Sequence, residues 1–141
     1  MLDFESRLSL ILESDEDYFA SVAIVKYRQK WLLGLSTASD DRKRKWAFPG
    51  GGIHRGEDPC DAAARECWEE TGIRPKAKGP IMKLKGKPGV AFIPCVFRSS
   101  NYRFKPNSEF SALGFFGTDE LRALDLYKDT KDMINRAKRN L

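Results

Sequence analysis

The chain carries a single histidine, His54, and only three cysteines, Cys60, Cys67 and Cys95. These four residues lack the short paired spacings of a zinc or haem ligand set, and no base is indicated for a cysteine nucleophile. The cysteine count is odd, so reduced core thiols in a cytoplasmic protein are expected. No apolar run approaches the roughly 18 residues that a membrane span needs. The first residues also lack the basic start and apolar core of a signal peptide, so no membrane partner is expected. Repeats, linkers and low-complexity segments are absent. One long stretch is without acid: residues 74–105 hold nine bases (Arg74, Lys76, Lys78, Lys83, Lys85, Lys87, Arg98, Arg103 and Lys105) and neither Asp nor Glu. With 41% apolar and 32% charged residues, composition points away from disorder. A length of 141 residues fits one domain with a core of its own.

What is present is concentrated in residues 46–73, WAFPGGGIHRGEDPCDAAARECWEETGI. They read as a short strand, a glycine-rich loop, one helix and a glycine stop. Asp58 suits an N-cap, and Pro59 suits the first helical position, where its missing N–H is no loss. Gly72 is placed to take the left-handed C′ conformation, with Ile73 folding back on the last turn. At 3.6 residues per turn, Cys60, Ala63, Ala64, Cys67, Trp68 and Thr71 share one arc that can pack on a sheet. Glu66, Glu69 and Glu70, at i, i+3 and i+4, share the other, with Glu57 just upstream. Such neighbours repel by a few tenths of a kcal/mol, ~0.2–0.5 per pair. A cation among them removes that cost, and oxygen-only ligands suit Mg²⁺ or Mn²⁺ rather than zinc. The competing account is a solvated, glutamate-rich helix face.

Gly51, five residues, Glu57, seven residues, then Arg65-Glu66-Cys67-Trp68-Glu69-Glu70-Thr71-Gly72-Ile73 resembles the signature box of the Nudix hydrolases, G-x5-E-x7-R-E-U-x-E-E-x-G-U. Every charged and glycine position matches. Cys67 stands where the family usually has an aliphatic residue, and it is small and apolar enough to pack there. The resemblance covers roughly residues 18–125 and implies an α/β fold, the Nudix α/β/α sandwich with a mixed β-sheet between helices. The whole chain, residues 1–141, would then be one such domain. It implies metal ligation by Glu66, Glu69, Glu70 and the carbonyl of Gly50, with Arg65 pairing to Glu57 to hold loop and helix together. In relatives the general base is either a box glutamate or a later residue, so Glu66 and Glu109 both stand as candidates. Glu109 has a plainer alternative, an acid at the surface end of a strand. His54 is expected to be an exposed loop residue.

Around the box, residues 18–27 and 31–35 read as two strands joined by a turn, and residues 81–85 and 90–97 as two more, joined at Gly86-Lys87-Pro88-Gly89. Residues 109–116 resemble the family's late strand leading into a helix, and residues 129–140 a final helix with Met133, Ile134 and Ala137 inward. Residues 1–17 hold six acids against one base and read as an acidic helical extension, with Phe4, Leu8, Ile11 and Leu12 at helical spacing. Arg42-Lys43-Arg44-Lys45 is either a solvated loop or a phosphate-facing one. Lys83 and Lys85 share one strand face, either to keep an edge strand from pairing or as a positive wall for phosphates.

The implied chemistry is Mg²⁺- or Mn²⁺-dependent hydrolysis of a nucleoside diphosphate linked to another moiety. The partner is then a small phosphorylated molecule, nucleotide-based. The basic segment leans toward more anionic members of that class, including RNA 5′ ends and inositol pyrophosphates. A Nudix-like module that senses a nucleotide without cleaving it is the alternative from another class.

Overall fold

The computed structural model of the chain describes residues 20–76, 82–84, 92–105 and 108–139. Within them, β1 (Ala20–Tyr27) turns through Arg28-Gln29 into β2 (Lys30–Ser36). Two short strands follow, β3 (Trp46–Ala47) and β4 (Gly50–Gly52), and then α1 (Pro59–Thr71). β5 (Met82–Lys83), β6 (Phe92–Arg98) and β7 (Phe110–Phe116) complete the sheet, before α2 (Thr118–Leu121) and α3 (Thr130–Arg139). The expected helix at residues 2–13, the turn at 86–89 and Lys85 lie outside the described residues.

β1 pairs parallel with β6 along its whole length, from Ala20↔Phe92 to Lys26↔Arg98, while the other pairings are antiparallel, so the sheet is mixed. β1 and β2 pair only beside their turn, at Lys26↔Trp31 and Tyr27↔Lys30. Beyond that point they diverge. β4 takes the freed flank of β1 at Ala20, Ser21 and Val22, and β3 takes that of β2 at Gly34 and Leu35. Residues 46–52 therefore fill a wedge between the two strands, where the Pro49 carbonyl accepts the Ala23 N–H at 2.8 Å. This wedge places the glycine loop.

Alternate strand residues face opposite sides, and the two sides have different partners. Ala23, Val25, Leu32, Ile93, Cys95 and Phe97 meet Cys60, Ala63 and Cys67 of α1. Ile24, Trp31, Leu33 and Val96 meet Leu121, Met133, Ile134 and Ala137 from the two later helices. The architecture is the α/β/α sandwich that the resemblance implied.

The cysteine reading needs correction. Cys60, in the first turn of α1, lies over Cys95 in the middle of β6 with their Cα atoms 5.5 Å apart, and the two form a disulfide. Only Cys67 remains a thiol, buried under α1. The bonded pair is 35 residues apart in sequence and is brought together by helix-on-sheet packing, which cysteine spacing does not reveal. Cysteine usage thus no longer argues for a reducing compartment.

Candidate active site

Local chemistry fixes how α1 is rotated. Asp58 Oδ2 accepts the N–H groups of Cys60 (2.9 Å) and Asp61 (3.1 Å), satisfying two donors that a helix start leaves unpaired. At the other end Gly72 adopts φ 77° and donates its N–H to the Trp68 carbonyl. Between these caps the helix presents Cys60, Ala63, Cys67 and Thr71 to the sheet and sets Glu66 and Glu70 against the glycine loop, with Glu69 exposed beside Arg65. Ala64 and Trp68, expected on the buried arc, are only half-buried.

Arg65 is the centre of the polar network. Its Nε and Nη2 donate to the two carboxylate oxygens of Glu57 at 3.0 and 3.1 Å, and Nη2 also donates to the Gly52 carbonyl at 3.1 Å. Nη1 donates to Glu66 at 3.0 Å and more weakly to Glu69 at 3.4 Å. One guanidinium thus ties loop, helix and upstream acid together, the pairing with Glu57 that the box implied. Hydrogen bonding from Arg65 holds the Glu57 carboxyl below the usual range, and Glu57 in turn raises Arg65. Glu57 Oε1, which also accepts from Arg65 Nη2, accepts the His54 N–H at 3.0 Å, while the His54 ring itself is exposed.

Glu70 differs from its neighbours. It is 8% exposed and accepts the Gly50 N–H at 3.1 Å. Burial, and then the adjacent Glu66, push its carboxyl up from 4.5 to about 9. The charge of Glu109, at the head of β7, adds to the same push. The Glu109 carbonyl is anchored by the Thr37 N–H at 3.1 Å and the Thr37 hydroxyl at 3.0 Å. Close approach explains two glycines. A Cβ on Gly51 would lie 2.5 Å from the Glu66 carboxyl carbon, and one on Gly50 would meet the Val22 backbone.

The basic loop divides its charges. Arg42 forms a two-pronged pair with Asp40, and Lys45 reaches Asp125 at 3.1 Å, whereas Lys43 and Arg44 are exposed. Sequence reading missed Thr37 as the residue tying this loop to Glu109. Its only trace was position, just ahead of the basic run. Cys67 is chemically quiet, since burial pushes its thiol up to about 12.

Among the described residues no three His, Cys, Asp or Glu side chains converge as a closed ion cage. Glu66 and Glu69 bond to Arg65, and Glu70 to Gly50. The donor set still fits a hard divalent cation. It is all oxygen, it falls within about one helical turn, and its buried member sits where a nearby positive charge would restore ionisation.

Comparison with known proteins agrees. The NUDIX domain family matches residues 17–137. A NUDIX hydrolase from Nitrosomonas europaea superposes with a TM-score of 0.67 at 24% identity, over 83% of this chain and 67% of that one. A bifunctional NMN adenylyltransferase/ADP ribose pyrophosphatase from Francisella tularensis, complexed with AMP and a Mn ion, gives 0.69 at 18% identity, over 96% of this chain and 46% of that one. An RNA pyrophosphohydrolase of Bartonella tribocorum is 54% identical over 43 residues, 30% of this chain and 25% of the relative. The match thus spans about a quarter of that curated relative's length. Since the match to the NUDIX domain takes in the strands, glycine loop and helix that bring Arg65 and its carboxylates together, the chain belongs to the Nudix family.

Proposed function

We propose that this chain is a divalent-metal-dependent pyrophosphohydrolase that cleaves the diphosphate linkage of a nucleotide derivative. The observation that carries the reading is the clustering of carboxylates about one guanidinium: Arg65 pairs with Glu57, Glu66 and Glu69, while Glu70 is buried beside Glu66. Glu66, Glu69, Glu70 and the Gly50 carbonyl would hold Mg²⁺ or Mn²⁺. When bound, such an ion neutralises diphosphate oxygens and makes an attacking water more acidic. Arg65 and Glu57 keep the glycine loop against α1, so the carboxylates meet the substrate already positioned. Glu66 or Glu109 takes the proton from water as general base, a role worth ~10²–10⁴-fold. The apolar floor under α1 keeps the helix from shifting as charge enters the site.

A substrate richer in phosphate is favoured by the acid-free segment after α1 and by partial relatives named RNA pyrophosphohydrolase. RNA 5′ ends are the leading member of that group. A nucleotide sensor without turnover is disfavoured because all the box carboxylates are present.

The test is a release assay over nucleoside triphosphates, dinucleoside polyphosphates, ADP-ribose, inositol pyrophosphates and 5′-triphosphorylated RNA, with Mg²⁺, Mn²⁺ or chelator. Turnover is expected with metal and not with chelator, and Glu66→Gln and Glu70→Gln should each lower kcat by at least ~10²-fold. Near-wild-type turnover in either variant sinks the assignment. Tight nucleotide binding without hydrolysis of any substrate establishes the sensor instead.

A further inference from the structure

Residues 99–105 cross the end of α1 and the end of β1, and backbone hydrogen bonds hold them there. The Ser99 N–H donates to the Lys26 carbonyl at 2.8 Å, and the Lys105 N–H to the Thr71 carbonyl at 2.9 Å. Between these ties the segment folds on itself. Ser99 Oγ donates to the Asn101 carbonyl at 2.7 Å, and the Arg103 N–H to Asn101 Oδ1 at 3.2 Å. Its side chains are thereby presented in set positions.

Two of them are outward aromatics. Tyr102 is 63% exposed and Phe104 37%, although burial would stabilise both rings. They join a continuous series. Tyr102 meets Tyr27 at 5.6 Å between ring centroids, Tyr27 meets Phe115 at 5.6 Å, and Phe115 stacks on Phe104 at 5.8 Å. Phe115 also packs on the cluster beneath α1, so the series lies on the face of the sheet that carries the carboxylate helix. Cations are interleaved with the rings. Arg28 stands over Tyr27, while Arg74 and Lys105 both stand over Trp68, at 4.5 and 4.3 Å. Trp68 lies one position before Glu69, on the arc of α1 turned away from Glu66. Arg74, Lys76, Arg98, Arg103 and Lys105 are exposed, and no acid occurs between Gly72 and Lys105.

Each part has a modest use alone: a cation covers a tryptophan, a tyrosine fills a strand end. Together they supply flat faces for bases and cations for phosphates, on a loop tied to Thr71 at the end of the carboxylate helix. That combination suits single strands, whose unpaired bases stack on rings irrespective of sequence. Aromatics and arginines are common at protein interfaces too, but lysine is depleted there, and the acid-free run of nine bases over residues 74–105 complements a polyanion rather than a mixed-charge protein surface. We propose that this surface binds the nucleotides of a single-stranded RNA that follow the 5′ end held at the carboxylates. The proposal rests on the pyrophosphohydrolase reading for its placement, and the experiment separates the two.

Binding of a fluorescent 5′-hydroxyl RNA of about 8 nucleotides, read by anisotropy in metal-free buffer, requires the surface and not the reaction. Wild type should bind it, and Tyr102→Ala with Phe104→Ala should weaken binding at least ~10-fold, with Tyr102→Phe restoring most of the loss at that position. Arg103→Gln with Lys105→Gln should reduce the slope of log K against log salt by about 1.4. Thermal melts verify that the variants stay folded. RNA bound in this way by a chain that hydrolyses no diphosphate leaves the surface standing and removes the reaction. Competition by polyglutamate equal to that by RNA, or loss-free removal of both rings, overturns the proposal in favour of charge alone. Equal affinity for DNA of the same sequence overturns the choice of RNA.

Discussion

Glu70 is the residue at which burial and chemistry conflict most sharply. Metal-free, burial and the neighbouring Glu66 push its folded carboxyl up from an ordinary 4.5 to about 9. Between those values the folded chain holds a proton that the unfolded chain has released, so stability is full below the lower value and drains as pH rises toward the higher. In chelator, the wild-type melting temperature should therefore fall between about pH 5.5 and about pH 8.5, and Glu70→Gln, which stays neutral, should flatten that fall. Parallel curves for the two proteins would mean that Glu70 is not the buried acid described here. Glu109 is tested by turnover. As base or ligand, its replacement by alanine should lower kcat by ~10²-fold or more with little change in melting temperature; as a surface acid alone it would leave kcat within about twofold. Both acids stood among the candidates that the sequence offered, Glu109 with a surface-acid alternative. The burial of Glu70 was not legible, because a helical wheel says which residues share a face and not what lies across from it. What lies across is Gly50, whose N–H meets the carboxylate at 3.1 Å.

At the scale of elements, the glycine loop is a contact surface for α1. Gly51 faces the Glu66 carboxyl so closely that a single methyl group would displace it. Gly51→Ala should lower kcat on the order of 10²-fold, since misplacement of a reacting group by about 1 Å has that effect. Gly56→Ala is the contrasting variant. It sits in the left-handed region at φ 80° with open space around it, so it should lower stability by about 1 kcal/mol and spare turnover. Equal losses of activity in both would place the effect in loop flexibility rather than in contact with Glu66. Elements set by near neighbours read well from sequence: α1 begins and ends at Asp58 and Gly72 because its caps are local, and β1 and β2 follow their own β-formers. Elements set by distant partners did not. The Cys60–Cys95 bond and the wedge between β1 and β2 both depend on segments that meet only in the folded sheet.

Across the whole molecule the sheet separates two duties. The face under α1 ends in the carboxylates, the glycine loop and the aromatic series, whereas the face under α2 and α3 is a closed apolar layer containing Ile24, Trp31, Leu33 and Ile134. Family and fold class were legible through the resemblance that the box carries, which implied the sandwich, while the strands were read from their own β-formers. How the layers share the work follows from register. Ile134 is 1% exposed and lies across the sheet from Glu66. Its truncation to alanine should cost ~2–5 kcal/mol through lost contacts and an unfilled cavity. Phe48, two residues before Gly50, belongs to that same layer. If only Phe48 and the short strands on either side of it set the wedge, Ile134→Ala should lower the melting temperature while kcat, measured well below it, stays within about twofold. A fall in kcat at a temperature where the variant is fully folded would instead mean that α3 props the wedge open through Phe48, and that the two faces do not act independently.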